Sequence, residues 1–240
     1  MEAVVSPEKI SVHLSTLWRA VHLVGFRLRR TAQSQYSPDE HYLEKVRHLE
    51  RVLKMAEQTE GQPRYHPMVV LYEDEAYLDQ RPSLSRQYQQ QGAPIKQLGK
   101  GVRPFIRCLF GAVNPVSGAT YHQEHRKGAA YYFIEFLTEL EQHYPFARAI
   151  HVFLDNWSPH AARKVKAFLA RHRRIHLDLL PTYAPWLMKQ ERIWKEMRKC
   201  VTHGHPFTTI KQVLAATREF FDDLNHDRHR VLRLIGEYGT

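Results

Sequence analysis

Three acidic positions in this sequence stand where carboxylates can work together. Asp74 follows the run Val-Val-Leu-Tyr-Glu, Asp155 follows His-Val-Phe-Leu, and Glu191 opens the helix predicted after a strand ending at Leu180. In a sheet whose strands run the same way, strand ends converge at one edge, where sites form. Carboxylates gathered there repel one another unless a cation neutralises them. Their hard oxygens suit Mg²⁺ or Mn²⁺. Two such ions, roughly 3.5–4 Å apart, can activate the attacking oxygen and stabilise the leaving oxygen of a phosphodiester. Any one of these acids taken alone reads more readily as a solvated loop residue. Only the set points to phosphoryl transfer.

The charge balance is compatible with a phosphate-rich substrate. The 240 residues carry a formal charge of +10, and the pI is about 9.6. An excess of that size suits a polyanionic partner, although a generically basic protein would also carry it. Hydrophobic residues make up 43% and charged residues 25%, which suits one large globular domain or one domain with a small attachment. No stretch has the roughly 18 apolar residues a membrane helix needs. The N-terminus lacks the basic-then-apolar pattern of a signal peptide, so the expected location is cytoplasmic and no membrane partner is expected. Cys108 and Cys200 are the only cysteines; they make no disulfide framework and read as structural.

These acids need elements to position them. Leu14, Leu17, Trp18, Val21 and Val24 follow helical spacing up to Gly25. Phe26–Arg30 then alternates apolar and basic, as a strand with one basic face would. Two readings stay open here: the end of a winged helix-turn-helix, or an amphipathic helix docked on the main domain. Ser37-Pro38-Asp39-Glu40 looks like a capping box opening a helix over 37–57, with Leu43, Val46, Leu49, Val52, Leu53 and Ala56 as its stripe. Strands are predicted over 68–72, 105–113, 120–125, 149–154 and 175–180, with residues 78–101 a long loop or short hairpin. Helices are predicted over 132–143, 160–172 (Ser158 capping it, Pro159 at its first position, Ala161, Ala162, Val165, Phe168 and Leu169 buried), 189–201 (with Cys200 inward) and 209–224. That order suits an α/β fold, a mixed sheet with helices on both faces.

The segments LYEDEAY, HVFLDNWSPH and LLPTYAPWLMKQERIWKEMRK, in this order, resemble the three catalytic blocks of IS630-family insertion-sequence transposases, within the Tc1/mariner group of DDE transposases. Thirty-five residues separate Asp155 from Glu191, close to that family's spacing. The resemblance spans about residues 68–200. It implies an RNase H-like domain over 67–240, a linker helix over 37–66, and a partial winged-helix DNA-binding region over 1–36 that would use Arg19, Arg27, Arg29 and Arg30. It implies that Asp74, Asp155 and Glu191 hold two Mg²⁺ or Mn²⁺ ions, with Glu75, Asn156 and His160 supporting them or touching DNA. Arg192, Lys195 and Arg198 beside Glu191 would contact phosphates. The implied partners are double-stranded transposon ends and target DNA, acted on by a homodimer.

One departure bears on activity. The family's third block usually places Asn-Pro just before the acid, whereas here Met188, Lys189 and Gln190 precede Glu191. A DNA-binding protein of transposase fold without catalysis, and a nuclease that cuts but cannot join strands, are therefore the competing readings. Cys200, His203 and His205 lack a fourth zinc ligand nearby, and Gly99-Lys100-Gly101 lacks the rest of a phosphate loop.

Overall fold

The computed structural model describes residues 13–27, 36–60, 67–80, 105–203 and 207–236. The chain divides into two compact units, residues 1–35 and 36–240, which are described separately.

In the first unit, Leu14–Leu23 forms helix α1. His13 caps its start by accepting from the Ser15 amide at 3.3 Å, and Gly25, at φ 83°, follows its end. Phe26 and Arg27 do not form the strand expected there. Arg19 and Arg27 are exposed. Arg29 and Arg30 lie outside the described residues.

The second unit is built on five strands: β1 (Met68–Leu78), β2 (Arg107–Val113), β3 (Thr120–His125), β4 (Ala149–Leu154) and β5 (Ile175–Leu179). They lie in the order β3-β2-β1-β4-β5. β1 runs antiparallel to β2 and parallel to β4, and β4 runs parallel to β5. The expected mixed sheet is therefore present. Its helices are α2 (Tyr42–Thr59), α3 (Ala130–His143), α4 (Arg163–Leu169), α5 (Gln190–Met197), α6 (Ile210–His226) and α7 (Arg228–Ile235).

Alternation along the strands sorts the core into two layers. Val69 and Leu71 of β1, Phe110 and Ala112 of β2, and Ile150 and Val152 of β4 pack on one face with Phe133, Phe136 and Leu137 of α3 and Val165 of α4. Val70 and Tyr72, Leu109 and Val113, and Phe153 pack on the other with residues of α2, α5, α6 and α7. Full burial of one such side chain contributes about 1.5–3 kcal/mol, so both faces of the sheet are driven to be covered.

Several elements differ from the sequence reading, each for a local reason. β1 does not stop at Tyr72. It continues through Glu73, Asp74 and Glu75 because β2 pairs with it out to Leu78. Helix α2 starts at Tyr42, and Ser37 and Asp39 do not cap it. Ser37 Oγ donates to the Thr182 carbonyl at 2.6 Å, and the Asp39 carboxylate accepts from the Thr182 amide at 2.9 Å and from Lys45 at 2.8 Å. Leu43 is exposed, so the apolar stripe of α2 begins a turn later.

The helix expected over 160–172 is split. Ser158–Ala161 is a 3₁₀ turn, Ala162 is extended, and only Arg163–Leu169 is α-helical, which leaves Ala161 exposed. Past Met197, residues Arg198–Thr202 form a π-type turn. The extra residue of that turn rotates Cys200 out to solvent rather than inward. Helix α6 starts with a full capping box between Thr209 and Gln212.

Candidate carboxylate active site

The parallel pairing of β1 with β4 ends at Tyr72 opposite Phe153. Asp74 and Asp155 each lie two residues further on. Side chains alternate with period two, so both acids continue the face of Tyr72 and Phe153. Neighbouring strands are about 4.8 Å apart, which sets these two carboxylates beside each other. Asp74 is thus inside a strand rather than at its end. It is the parallel partner that stops beside it.

Glu191 arrives from a different element. Leu180 N donates to the Leu154 carbonyl at 2.9 Å, which keeps the chain after β5 alongside Asp155. A short turn over Pro185–Leu187 then leads into α5, with Glu191 in its first turn. The inner face of α5 carries Ile193, Trp194 and Met197 into the core. Its approach is close because β2 has a glycine opposite Asp74: a Cβ at Gly111 would strike the Trp194 ring and the Gln190 side chain.

The three acids meet in one cleft of about 660 Å³, together with Asn156, Trp157 and the segment 180–185. Asp155 and Glu191 are more than half exposed, at 59% and 51%, whereas Asp74 is half-buried. Trp157 N donates to Asp155 Oδ1 at 2.8 Å, which fixes that carboxylate. The Asp74 carboxyl is pushed up to about 7, first by burial and then by the negative charges of Glu75, Glu191 and Asp155. The same crowding that burdens Asp74 makes the site a good host for a divalent cation. All three donors are hard carboxylate oxygens, the set that suits Mg²⁺ or Mn²⁺. Tyr183, at the cleft wall, is 80% exposed and holds φ at 54°, a left-handed geometry that costs an aromatic residue about 1–3 kcal/mol.

Glu75 and His160 do not face the cleft. Being odd-numbered, Glu73 and Glu75 point to the opposite face of β1 from Asp74. There His160 Nε2 lies 3.0 Å from Glu75 Oε1 and 3.6 Å from Glu73 Oε2. Its Nδ1 donates to the Asp155 carbonyl at 3.2 Å, since a carbonyl can only accept. His160 is buried beneath Phe133 and Trp157, which rules out the DNA contact considered for it. Its place is behind Asp155, holding that backbone. Glu73 is fully buried without a hydrogen bond. Burial, followed by the charges of Glu75, Asp74 and Asp155, holds its pKa well above the ordinary value.

Of the three basic residues near Glu191, Arg192 and Lys195 are exposed. Arg198 donates to Glu191 Oε1 at 3.0 Å, so part of its charge is already engaged within the site. Gln190, next to Glu191, is fully buried with both side-chain polar atoms unpaired. The sequence reading missed Glu73 and Gly111. Glu73 carried a signal, the Glu-x-Glu spacing that puts two acids on one strand face. Gly111 carried none, since its importance lies in how near α5 comes.

Residues 69–214 match the DDE superfamily endonuclease family. An uncharacterised 39 kDa protein of insertion element IS630 from Shigella sonnei is 24% identical over 214 residues, or 89% of this chain. The chain spans 60% of that relative's length. Among solved structures, the Mos1 mariner paired-end complex with Mn is similar at a TM-score of 0.62, with 15% identity over 94% of this chain and 69% of that one. The Mos1 strand transfer complex is similar at 0.57, with 14% identity over 94% and 71%. These likenesses carry the fold, the expected RNase H-like mixed sheet flanked by helices. Among the described residues no helix is long and apolar enough to cross a membrane.

Proposed function

The chain belongs to the DDE superfamily of endonucleases, and from that premise we propose that it carries the catalytic core of an IS630-type DNA transposase. The observation that carries the reading is the convergence of Asp74, Asp155 and Glu191 on one cleft. In this reading they hold two Mg²⁺ or Mn²⁺ ions, which when bound activate the attacking oxygen and neutralise charge on the leaving oxygen of a phosphodiester. The chain's own groups orient the reaction. The Trp157 amide fixes Asp155, and His160, braced by Glu75, holds the Asp155 backbone from behind. Arg192 and Lys195 project from the exposed side of α5 to grip phosphates, and the +10 charge supports a DNA partner.

The proposed sequence of events is hydrolysis at a transposon end, then attack of the freed 3′-hydroxyl on target DNA. A similar structure named for a strand transfer complex supports the second step, and one named for a paired-end complex supports action on transposon ends; a homodimer acting on the two ends is part of the same proposal. The N-terminal residues, with Arg19, Arg27, Arg29 and Arg30, are proposed to add DNA contacts. A second reading, DNA binding without catalysis, draws on Gln190 standing buried before Glu191 and on Glu191 being tied to Arg198.

The test is a labelled duplex bearing the neighbouring element's terminal repeat, incubated with Mg²⁺, Mn²⁺ or EDTA, beside Asp155→Ala. Metal-dependent nicking at the repeat end that the variant lacks is the expected result. Retained DNA binding with no nicking under either metal would favour the second reading. Joining of the nicked end to a second duplex separates a transposase from a plain nuclease.

A further inference from the structure

On the cleft's face of the sheet, but four residues back along β4 from Asp155, three potential metal ligands from three elements converge. At a strand's rise that is about 13 Å away. His48 of α2 places Nε2 at 2.9 Å from Asp178 Oδ1, and His151 of β4 places Nδ1 at 2.7 Å from Asp178 Oδ2. The donor atoms all lie within 4.8 Å of one another. A fourth imidazole is adjacent: His176, the cross-strand partner of His151, stacks on it with ring centroids 4.8 Å apart.

We propose that His48, His151 and Asp178 form a binding site for a borderline transition-metal ion of the Zn²⁺ class, separate from the carboxylate cleft. Two imidazole nitrogens and one carboxylate make a donor set that zinc accepts and Mg²⁺ does not favour. Three protein ligands leave one tetrahedral position for water, on the side where His48 is 40% exposed. The site is half-open, so an ion can enter: Asp178 and His151 are 19% and 13% exposed. In the metal-free protein a hydrogen-bonded His–Asp–His chain occupies the same geometry. An ion there clamps α2 to β4 and β5 in place of those hydrogen bonds.

The experiment is a Zn²⁺ titration of chelator-stripped full chain, followed by calorimetry in millimolar Mg²⁺, which leaves the carboxylate cleft to Mg²⁺. The expected result is one tight Zn²⁺ per chain and a rise in unfolding temperature. His151→Gln and Asp178→Asn should each weaken binding by roughly tenfold or more. His48→Gln, at the most exposed of the three ligands, repeats the test where folding is least at stake. Visible absorption of bound Co²⁺ gives a second reading of the same site, lost in the same variants. Zn²⁺ binding that is absent, unchanged in all three variants, or lost in Asp155→Asn instead would overturn the proposal.

Discussion

Trp194 occupies the space in which any side chain at position 111 would stand. The ideal Cβ of Gly111 falls on its indole ring and on Gln190. Gly111 is also the cross-strand partner of Asp74. One glycine therefore sets how near α5 comes to β1, and with it the approach of Glu191 to Asp74. Gly111→Ala should push α5 outward, at a typical overpacking cost of about 1–3 kcal/mol. A displacement of reacting groups by about 1 Å costs on the order of a hundredfold in rate. The expected outcome is a modestly lower unfolding temperature with a much larger fall in nicking. Equal nicking by variant and wild type would show that α5 does not set the site.

The raised Asp74 pKa links pH to stability. An acid whose folded value exceeds its unfolded one binds more protons when folded, so stability declines as pH rises between the two values. For Asp74 that window runs from its ordinary value near 3.8 to about 7. Metal-free protein should lose stability across it, and Asp74→Asn should flatten the decline. Mg²⁺ should raise the unfolding temperature more at pH 8 than at pH 5, because it competes with the proton at low pH. Thermal scans over pH with and without Mg²⁺ measure both effects.

Behind the cleft, among the described residues, His160 is the imidazole that faces the acids Glu73 and Glu75. His160→Ala removes the imidazole that faces Glu73 and Glu75 and the donor to the Asp155 carbonyl. Breaking a buried charged contact costs about 3 kcal/mol or more, so denaturant midpoints should fall by that equivalent and nicking with them. Glu73→Gln is expected to act in the opposite sense. It removes a group that resists ionising because it is buried among other acids, so it should be neutral or stabilising, most visibly at high pH. A Glu73→Gln variant as unstable as His160→Ala would contradict this account.

Asp39 ties the entry to α2 to the segment leading toward the third acid. Lys45, the Thr182 amide and the His41 amide all donate to it and hold its pKa well below the ordinary value. A depressed acid contributes stability that is present above the unfolded pKa and lost as pH falls below it. Asp39→Asn should therefore lower the unfolding temperature at pH 7, with the gap to wild type narrowing progressively as the pH falls below the ordinary value of 3.8. A gap independent of pH would mean that shape rather than charge is responsible.

The sequence held the order of strands and helices because apolar periodicity records which faces are covered. It also held the three cleft acids, which follow recognisable apolar runs or open a helix. It did not hold the second half of β1. Glu73 and Glu75 look like a polar stop, and pairing with β2 makes them strand residues. Ser37 and Asp39 read as a cap because their local chemistry fits one, while their partner Thr182 lies more than 140 residues away. The His48–Asp178–His151 cluster was likewise illegible. It joins a helix and two strands that meet only after folding.

The cleft draws its acids from positions 74, 155 and 191, and the last enters only when α5 docks beneath Gly111. That arrangement has a consequence for the order of assembly. A folding chain can pair β1 with β4 and bury their apolar faces before α5 has docked, and in that state the proposed site still lacks its third acid.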